Sequence, residues 1–394
     1  MKKLILPFVL LCFTSFTSYG QWQPCAGTTG LNMQSLLTNG KYNFAGGQTG
    51  VYLSSNSSVN YSSANNGNDA TGPTRGFAKD NTYVYTCTSQ GAYRSSDNGA
   101  NWVSKSSGLT NLLGSGILKV SSRLFYVGPT GVFMSIDQGD KWNAAGLTGT
   151  DVRCIAAMQD TLYVGTLNAG ILKSVDWGVN WISVNNGLGS STNFRAIEVK
   201  GNTIYAAGQV GTGVFRSTDF GANWSLLGGG LGSGSYRGFA SNSQVIVAGS
   251  FGGGVFYSTD NGNKWTTINE GLSDLTIFDL DINDSYLIAA TNTQGIFRFP
   301  LSGLNLPTGI SDYDLKNAIS IFPNPTTNQL NVNVNVNAKF FGMPFKVFDN
   351  AGKVVFSDII NKENTLIEMR NFPKGIYMLS IGISSKQTFK VIKQ

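Results

Sequence analysis

Ser95-Ser96-Asp97-Asn98-Gly99-Ala100-Asn101-Trp102 decides how this chain is read, because its skeleton, Ser-x-Asp-x-Gly-x-x-Trp, returns four more times. The further copies are Ser135, Asp137, Gly139, Trp142; Ser174, Asp176, Gly178, Trp181; Ser217, Asp219, Gly221, Trp224; and Ser258, Asp260, Gly262, Trp265. A degenerate copy precedes them at Ser54, Asn56, Ser58 and Tyr61, where every substitution except the one at glycine keeps the chemical type. From Asn56 the acidic position moves to 97, 137, 176, 219 and 260, in steps of 41, 40, 39, 43 and 41. A repeat near forty residues is the length of one four-stranded propeller blade.

Each unit reads as four short strands parted by turn residues. In the fourth, Val152 to Ala157, Leu162 to Thr166 and Gly170 to Ser174 are followed by the acidic turn and by Trp181 to Val184. Short β-rich runs at this spacing, bounded by Gly, Asn and Asp, are the signal of an all-β array. A seventh unit has only three strands, Thr276 to Ile282, Tyr286 to Ala290 and Gly295 to Phe299, while Gln21 to Gly27 stands alone at the other end with Trp22 where a fourth-strand tryptophan belongs. Joining the two fragments closes the ring and removes its open edges. The expectation is an all-β protein: a seven-bladed β-propeller over residues 21–300, closed by its N-terminal strand.

Composition agrees and excludes much else. The 394 residues include 49 glycines, 13% charged and 12% aromatic side chains, and no histidine. Without imidazole, Ser-His-Asp and Cys-His nucleophiles and His-based zinc sites are closed, and no cofactor or metal is expected. Lys2 and Lys3 before the apolar run Leu4 to Phe13, then Ser18, Tyr19 and Gly20, read as a secretory signal peptide over 1–20, too short to span a membrane. Its removal leaves Cys25, Cys87 and Cys154, an odd number without regular spacing, which points to buried free thiols. The net charge of +6 sits at the C-terminal end: residues 21–314 hold 16 basic and 18 acidic side chains, residues 315–394 hold 10 and 4. The large N-terminal part therefore lacks the basic footprint of a nucleic-acid binder.

The repeated motif resembles the Asp-box, or BNR repeat, of sialidases, sortilin-type receptors, xyloglucan-hydrolysing glycosidases and photosystem assembly-factor propellers. The resemblance covers most of 21–300 and implies a structural role for Asp97, Asp137, Asp176, Asp219 and Asp260. The carboxylate accepts backbone N–H groups in the turn, the glycine takes positive φ, and Trp102, Trp142, Trp181, Trp224 and Trp265 are buried beside their hairpins. In such propellers the motif lies on the outer edge of the face opposite the ligand site.

After a linker at 301–318 the pattern changes. Ile319 to Phe322 leads into Pro323-Asn324-Pro325, Leu330 to Val336 alternates strictly, Asn350 to Gly352 marks a turn, and Lys374-Gly375-Ile376-Tyr377 precedes a terminal strand ending Lys390 to Gln394. Alternation with tight turns indicates a small Ig-like antiparallel β-sandwich over 319–394. Its signatures are similar to the type A C-terminal sorting domain of the Bacteroidota type IX secretion system. That likeness implies Sec export, passage across the outer membrane, and display at the surface or release. Lys386, Lys390 and Lys393 then belong to an address read by the secretion machinery, not to a nucleic-acid patch.

Candidate binding residues come from the channel strands. Arginine recurs at the start of four of them, as Thr-Arg75-Gly-Phe-Ala, Val-Arg153-Cys-Ile-Ala, Phe-Arg195-Ala-Ile-Glu and Tyr-Arg237-Gly-Phe-Ala, with Tyr236 and Phe194 beside them. Guanidinium groups gathered at one end of the channel suit an anion on an extracellular glycan or protein; they would equally serve to satisfy loop carbonyls or stack between blades. Loop amides at Gln48, Gln90, Asn168, Asn185, Asn186, Gln209, Asn292 and Gln294 also suit recognition, with low specificity. Phe297-Arg298-Phe299-Pro300 resembles a sialidase motif but falls in the last blade, where Arg94 and Arg216 hold the same place. A glycoside hydrolase would need a carboxylate pair. The propeller's only glutamates are Glu198 and Glu270; Asp151, Glu270, Asp274, Asp279 and Asp281 are the loop or inner-strand candidates, and no pair stands out. Non-catalytic binding is the first reading, polysaccharide hydrolysis the second.

Overall fold

A computed structural model describes residues 20–304 except 68–71, 209–210 and 233, then residues 306, 319–334, 343–360, 362, 364–381 and 387–394. The expected leader, most of the linker, Gln209 and Lys386 lie outside the described residues. Between Gln23 and Pro300 the strands form seven four-stranded antiparallel sheets. Their inner strands are Met33–Asn39, Thr74–Lys79, Gly116–Val120, Val152–Met158, Phe194–Lys200, Tyr236–Ser241 and Ile277–Ile282. We number the sheets 1 to 7 in that order. Each inner strand packs against the next and the seventh packs against the first, so the sheets form a closed ring, the β-propeller arrangement.

Sheet 7 is completed from the other end of the chain. Gln23–Pro24 pairs with Ile296–Pro300, setting Gln23 opposite Arg298 and Pro24 opposite Phe297, and Cys25 N donates to Ile296 O at 2.8 Å. Trp22 is 2% exposed, lies 5.5 Å from the Phe299 ring, and donates its indole N–H to Ile268 O.

The Ser-x-Asp turn is a hydrogen-bonded unit. Ser135 Oγ donates to Asp137 Oδ1 at 2.7 Å and accepts from Gly139 N at 2.8 Å, while Asp137 Oδ1 accepts from Lys141 N at 3.0 Å. The other four copies repeat the pattern, and Ser54, Asn56 and Ser58 reproduce it with an amide and with Ser58 held at φ +65°. Two successive residues are left-handed, not the glycine alone: Asn98, Gln138, Trp177, Phe220 and Asn261 precede it at φ of 55–64°. The tryptophans do more than pack beside their own hairpins. Trp102, Trp142, Trp181 and Trp224 donate their indole N–H to Ala64, Lys105, Ala145 and Val184 carbonyls of the preceding sheet, although Trp181 is only partly buried. Cations on the third strands reach the other way: Arg94, Lys173 and Arg216 donate to the carbonyls of Gln138, Phe220 and Asn261 in the next sheet's turn. Ser135→Ala leaves the Gly139 N–H without its acceptor in a buried turn and is expected to cost about 1–3 kcal/mol in denaturant unfolding.

The C-terminal part has two sheets. Ile319–Phe322, Gln329–Val334 and Asn364–Glu368 form one; Val354–Ile360, Met343–Phe348, Gly375–Ile381 and Gln387–Lys393 form the other, in that spatial order. Leu330, Val332, Phe345, Val347, Ile367, Leu379 and Val391 fill the core between them, the alternate-residue burial expected of a sandwich.

Candidate binding site in the central channel

One backbone irregularity builds the site. In six of the seven inner strands the pairing register skips one residue: between Met33 and Ser35, Thr74 and Gly76, Val152 and Cys154, Phe194 and Ala196, Tyr236 and Gly238, and Ile277 and Asp279. The skipped residues are Gln34, Arg75, Arg153, Arg195, Arg237 and Phe278. Ser115 holds the corresponding place in sheet 3, donating its N–H to Val127 O at 2.8 Å. A bulge bends its strand and re-aims the extra side chain. All seven of these residues line one cavity of about 580 Å³ in the channel, with Phe77, Phe239, Glu198 and Asp279 among the residues completing its wall.

The residue after this position is small in six sheets, Ser35, Gly76, Gly116, Cys154, Ala196 and Gly238, because inner strands approach closely there. A Cβ on Gly238 would lie 2.7 Å from Asp279 Cα. Sheet 7 breaks the pattern with Asp279, whose Oδ2 accepts from Leu36 N of sheet 1 at 2.8 Å. Two residues on, Asp281 Oδ2 accepts from Thr38 N at 2.6 Å. The two carboxylates thus tie the last inner strand to the first. Glu198 bridges sheets 5 and 6 in a similar way, accepting from Ser241 Oγ at 2.6 Å. Burial pushes Glu198 up to about 7 and Asp279 up to about 8, and raises Asp281 as well.

The four arginines fall into two classes. Arg153 is paired with Asp151, Nη2 to Oδ2 at 2.5 Å, and Arg237 lies 4.3 Å over the Phe251 ring and 5.1 Å from Phe278. Arg75 and Arg195 have no ion-pair partner or hydrogen-bond acceptor among the described residues, and the Arg195 Nε is buried without one. Burial, then the Arg153 guanidinium, depresses Arg195 below the ordinary arginine range; burial, then Arg195, does the same to Arg237. Both stay charged, since arginine starts far above neutrality.

Other expected site residues are placed elsewhere. Tyr236, read as a contact beside the arginines, is 1% exposed, and its hydroxyl donates to Gly232 O at 3.0 Å. It precedes the bulge and points into the space between sheets, as does fully buried Phe194. Asn185 bonds Ile171 N and Ala169 O, and Asn186 bonds Asn223, so these amides serve loop structure. Asp151 is taken by Arg153, and Asp274 accepts from Thr276 N and Thr293. Arg298 stacks over Tyr286 and reaches Gln23, at the closing sheet. Cys25, Cys87 and Cys154 are free, with thiols pushed up to about 12 by burial. Hydrogen bonds hold the Asp97, Asp137, Asp176 and Asp219 carboxyls below the usual range, those from Asn101, Ser135, Asn180 and Asn223 leading in turn. Among the described residues no group of three or more Cys, Asp or Glu could hold a metal ion.

Residues 320–394 match the secretion system C-terminal sorting domain. That match marks a protein exported by type IX secretion to the cell surface or outside. No helix among the described residues is long and apolar enough to cross a membrane. No curated protein matches the chain. Among solved structures, it is similar to PorZ, a surface component of the type-IX secretion system of Porphyromonas gingivalis, at 13% identity and a TM-score of 0.58 over 94% of this chain. The chain spans 60% of that protein's length. YCF48 bound to D1 peptide is similar at 10% identity and a TM-score of 0.60, over 72% of this chain and 97% of YCF48. The GH74 xyloglucanase of Xanthomonas campestris is similar at 15% identity and 0.58, over 73% of this chain and 55% of the enzyme. At these identities the likeness is one of fold.

Proposed function

We propose that this exported chain is a seven-bladed Asp-box propeller, residues 21–300, that binds an extracellular glycan or protein through an anionic group received in its channel, with residues 319–394 serving as the sorting domain. The reading is carried by Arg75 and Arg195, charged, free of acceptors among the described residues, and facing one cavity with Arg153 and Arg237. Unpaired guanidinium groups in a partly dry pocket cost stability that an anionic ligand would restore. The D1 peptide on YCF48 is a precedent for peptide binding on such a fold.

The test is retention of the full secreted chain on immobilised dextran sulfate, polygalacturonate and polyglutamate. Replacing Arg153, Arg195 and Arg237 together by glutamine is expected to abolish retention while shifting the melting temperature little. Unaltered retention disposes of the proposal. The xyloglucanase likeness and the two cavity carboxylates draw attention to a glycoside hydrolase as the second reading. Glu198 and Asp279 are each tied to a neighbouring strand, which argues against a free acid and base. Release of reducing ends from xyloglucan, lost in Glu198→Gln, would restore that reading.

A further inference from the structure

The two arginines with neither an acceptor nor an aromatic ring beneath them among the described residues, Arg75 and Arg195, are not neighbours. Arg75 stands on sheet 2 and Arg195 on sheet 5, three steps apart, the widest separation that a ring of seven permits. They face each other across the axis at the same bulge level. Both line the same cavity of about 580 Å³. A group that answers both must sit on the axis and offer oxygen atoms toward opposite walls.

We propose, on the basis of the anion-binding reading above, that Arg75 and Arg195 form a cross-channel clamp for one tetrahedral oxyanion, a sulfate or phosphate monoester on the ligand. A carboxylate presents both oxygens on one edge and its carbon chain on the other, so it serves one guanidinium fork well and the opposite fork poorly. A monoester has three diverging oxygens and can receive a fork from each side, with its single ester bond leaving along the channel. Arg153 and Arg237, held by Asp151 and by the Phe251 and Phe278 rings, form the wall beside the clamp and supply field.

The experiment is calorimetric titration of the full secreted chain with galactose 6-sulfate, glucose 6-phosphate, galacturonate and unsubstituted galactose. Binding of one or both monoesters at least tenfold tighter than galacturonate is expected, and the tighter of the two identifies the source of the oxyanion. Arg75→Lys and Arg195→Lys should each weaken binding tenfold or more, and the double variant should bind no more than about twofold worse than the weaker single one, because one fork without the other loses most of the clamp. Arg298→Lys, outside the cavity, should change nothing, and melting temperatures should certify that each variant folds. Losses that multiply in the double variant, or galacturonate bound as well as the esters, overturn the clamp. Dextran sulfate retention with no binding of the small esters overturns the clamp and leaves the anion-binding reading standing; failure of both removes both.

Discussion

Trp22→Ala is expected to destabilise the ring by about 3–5 kcal/mol, the cost of emptying a large buried aromatic site. In a domain of this size that corresponds to a fall of roughly 10 °C in melting temperature. The reason lies in what Trp22 joins. Its indole packs on Phe299 and bonds Ile268 O, and its backbone N–H donates to Glu270 O, so one residue near the start of the folded chain holds three positions between residues 268 and 299. Trp181→Ala removes the same side chain from a partly exposed site inside a continuous repeat and should cost distinctly less. Thermal and denaturant unfolding of both variants checks the ranking. A Trp22→Ala change in melting temperature below about 2 °C would mean that closure is not carried by this strand.

A pH dependence of opposite sign to ordinary acid unfolding is the second large effect. Glu198 and Asp279 titrate near 7 and 8 in the folded ring, against about 4 for unfolded carboxyls. Between those values the folded state binds more protons than the unfolded one, so stability is fully present below about pH 4 and is lost as pH rises through 7–8. Every tenfold difference in proton affinity between the two states is worth about 1.4 kcal/mol. The motif carboxylates Asp97, Asp137, Asp176 and Asp219 act the other way: their folded values are depressed, and their contribution is lost as pH falls below about 4. The melting temperature should therefore be higher at pH 5.5 than at pH 8.5. Glu198→Gln, which keeps a partner for Ser241 without a charge, should flatten the slope and melt higher than the parent at pH 8.5. An unchanged slope in that variant would place the dependence elsewhere.

The ring can be read from the sequence because its turn is chemically expensive to vary. Only a serine hydroxyl, a carboxylate or amide, and a residue tolerating positive φ satisfy the bonds around Ser135, Asp137 and Gly139, and so these types recur. Trp22 is legible for the same reason, as the fourth-strand tryptophan that sheet 7 lacks. The arginines are visible as a recurrence, but their convergence depends on a bulge that leaves no composition of its own. Gln34, Ser115 and Phe278 occupy the same structural place and share no side-chain chemistry with them, so nothing in their identity marks them. Sequence proximity alone misplaces Tyr236: adjacent strand residues face opposite ways, so with Arg237 lining the cavity the tyrosine is sent into the core. Asp279 and Asp281 read in the sequence only as spare acids. Their partners, Leu36 and Thr38 N–H, are more than 240 residues away, and no local pattern records such a pairing.

Because sheet 7 is assembled from both ends, Gln23 and Pro24 have no partner until the chain has been made as far as Ile296–Pro300. A polypeptide threaded through a membrane amino end first must leave that outermost strand waiting while the first six sheets gather. The sorting segment begins at residue 320, a short distance beyond the strand that completes the circle. An address placed there is therefore carried only by molecules long enough to shut the ring, and an interrupted product lacking Ile296–Pro300 lacks its export label too.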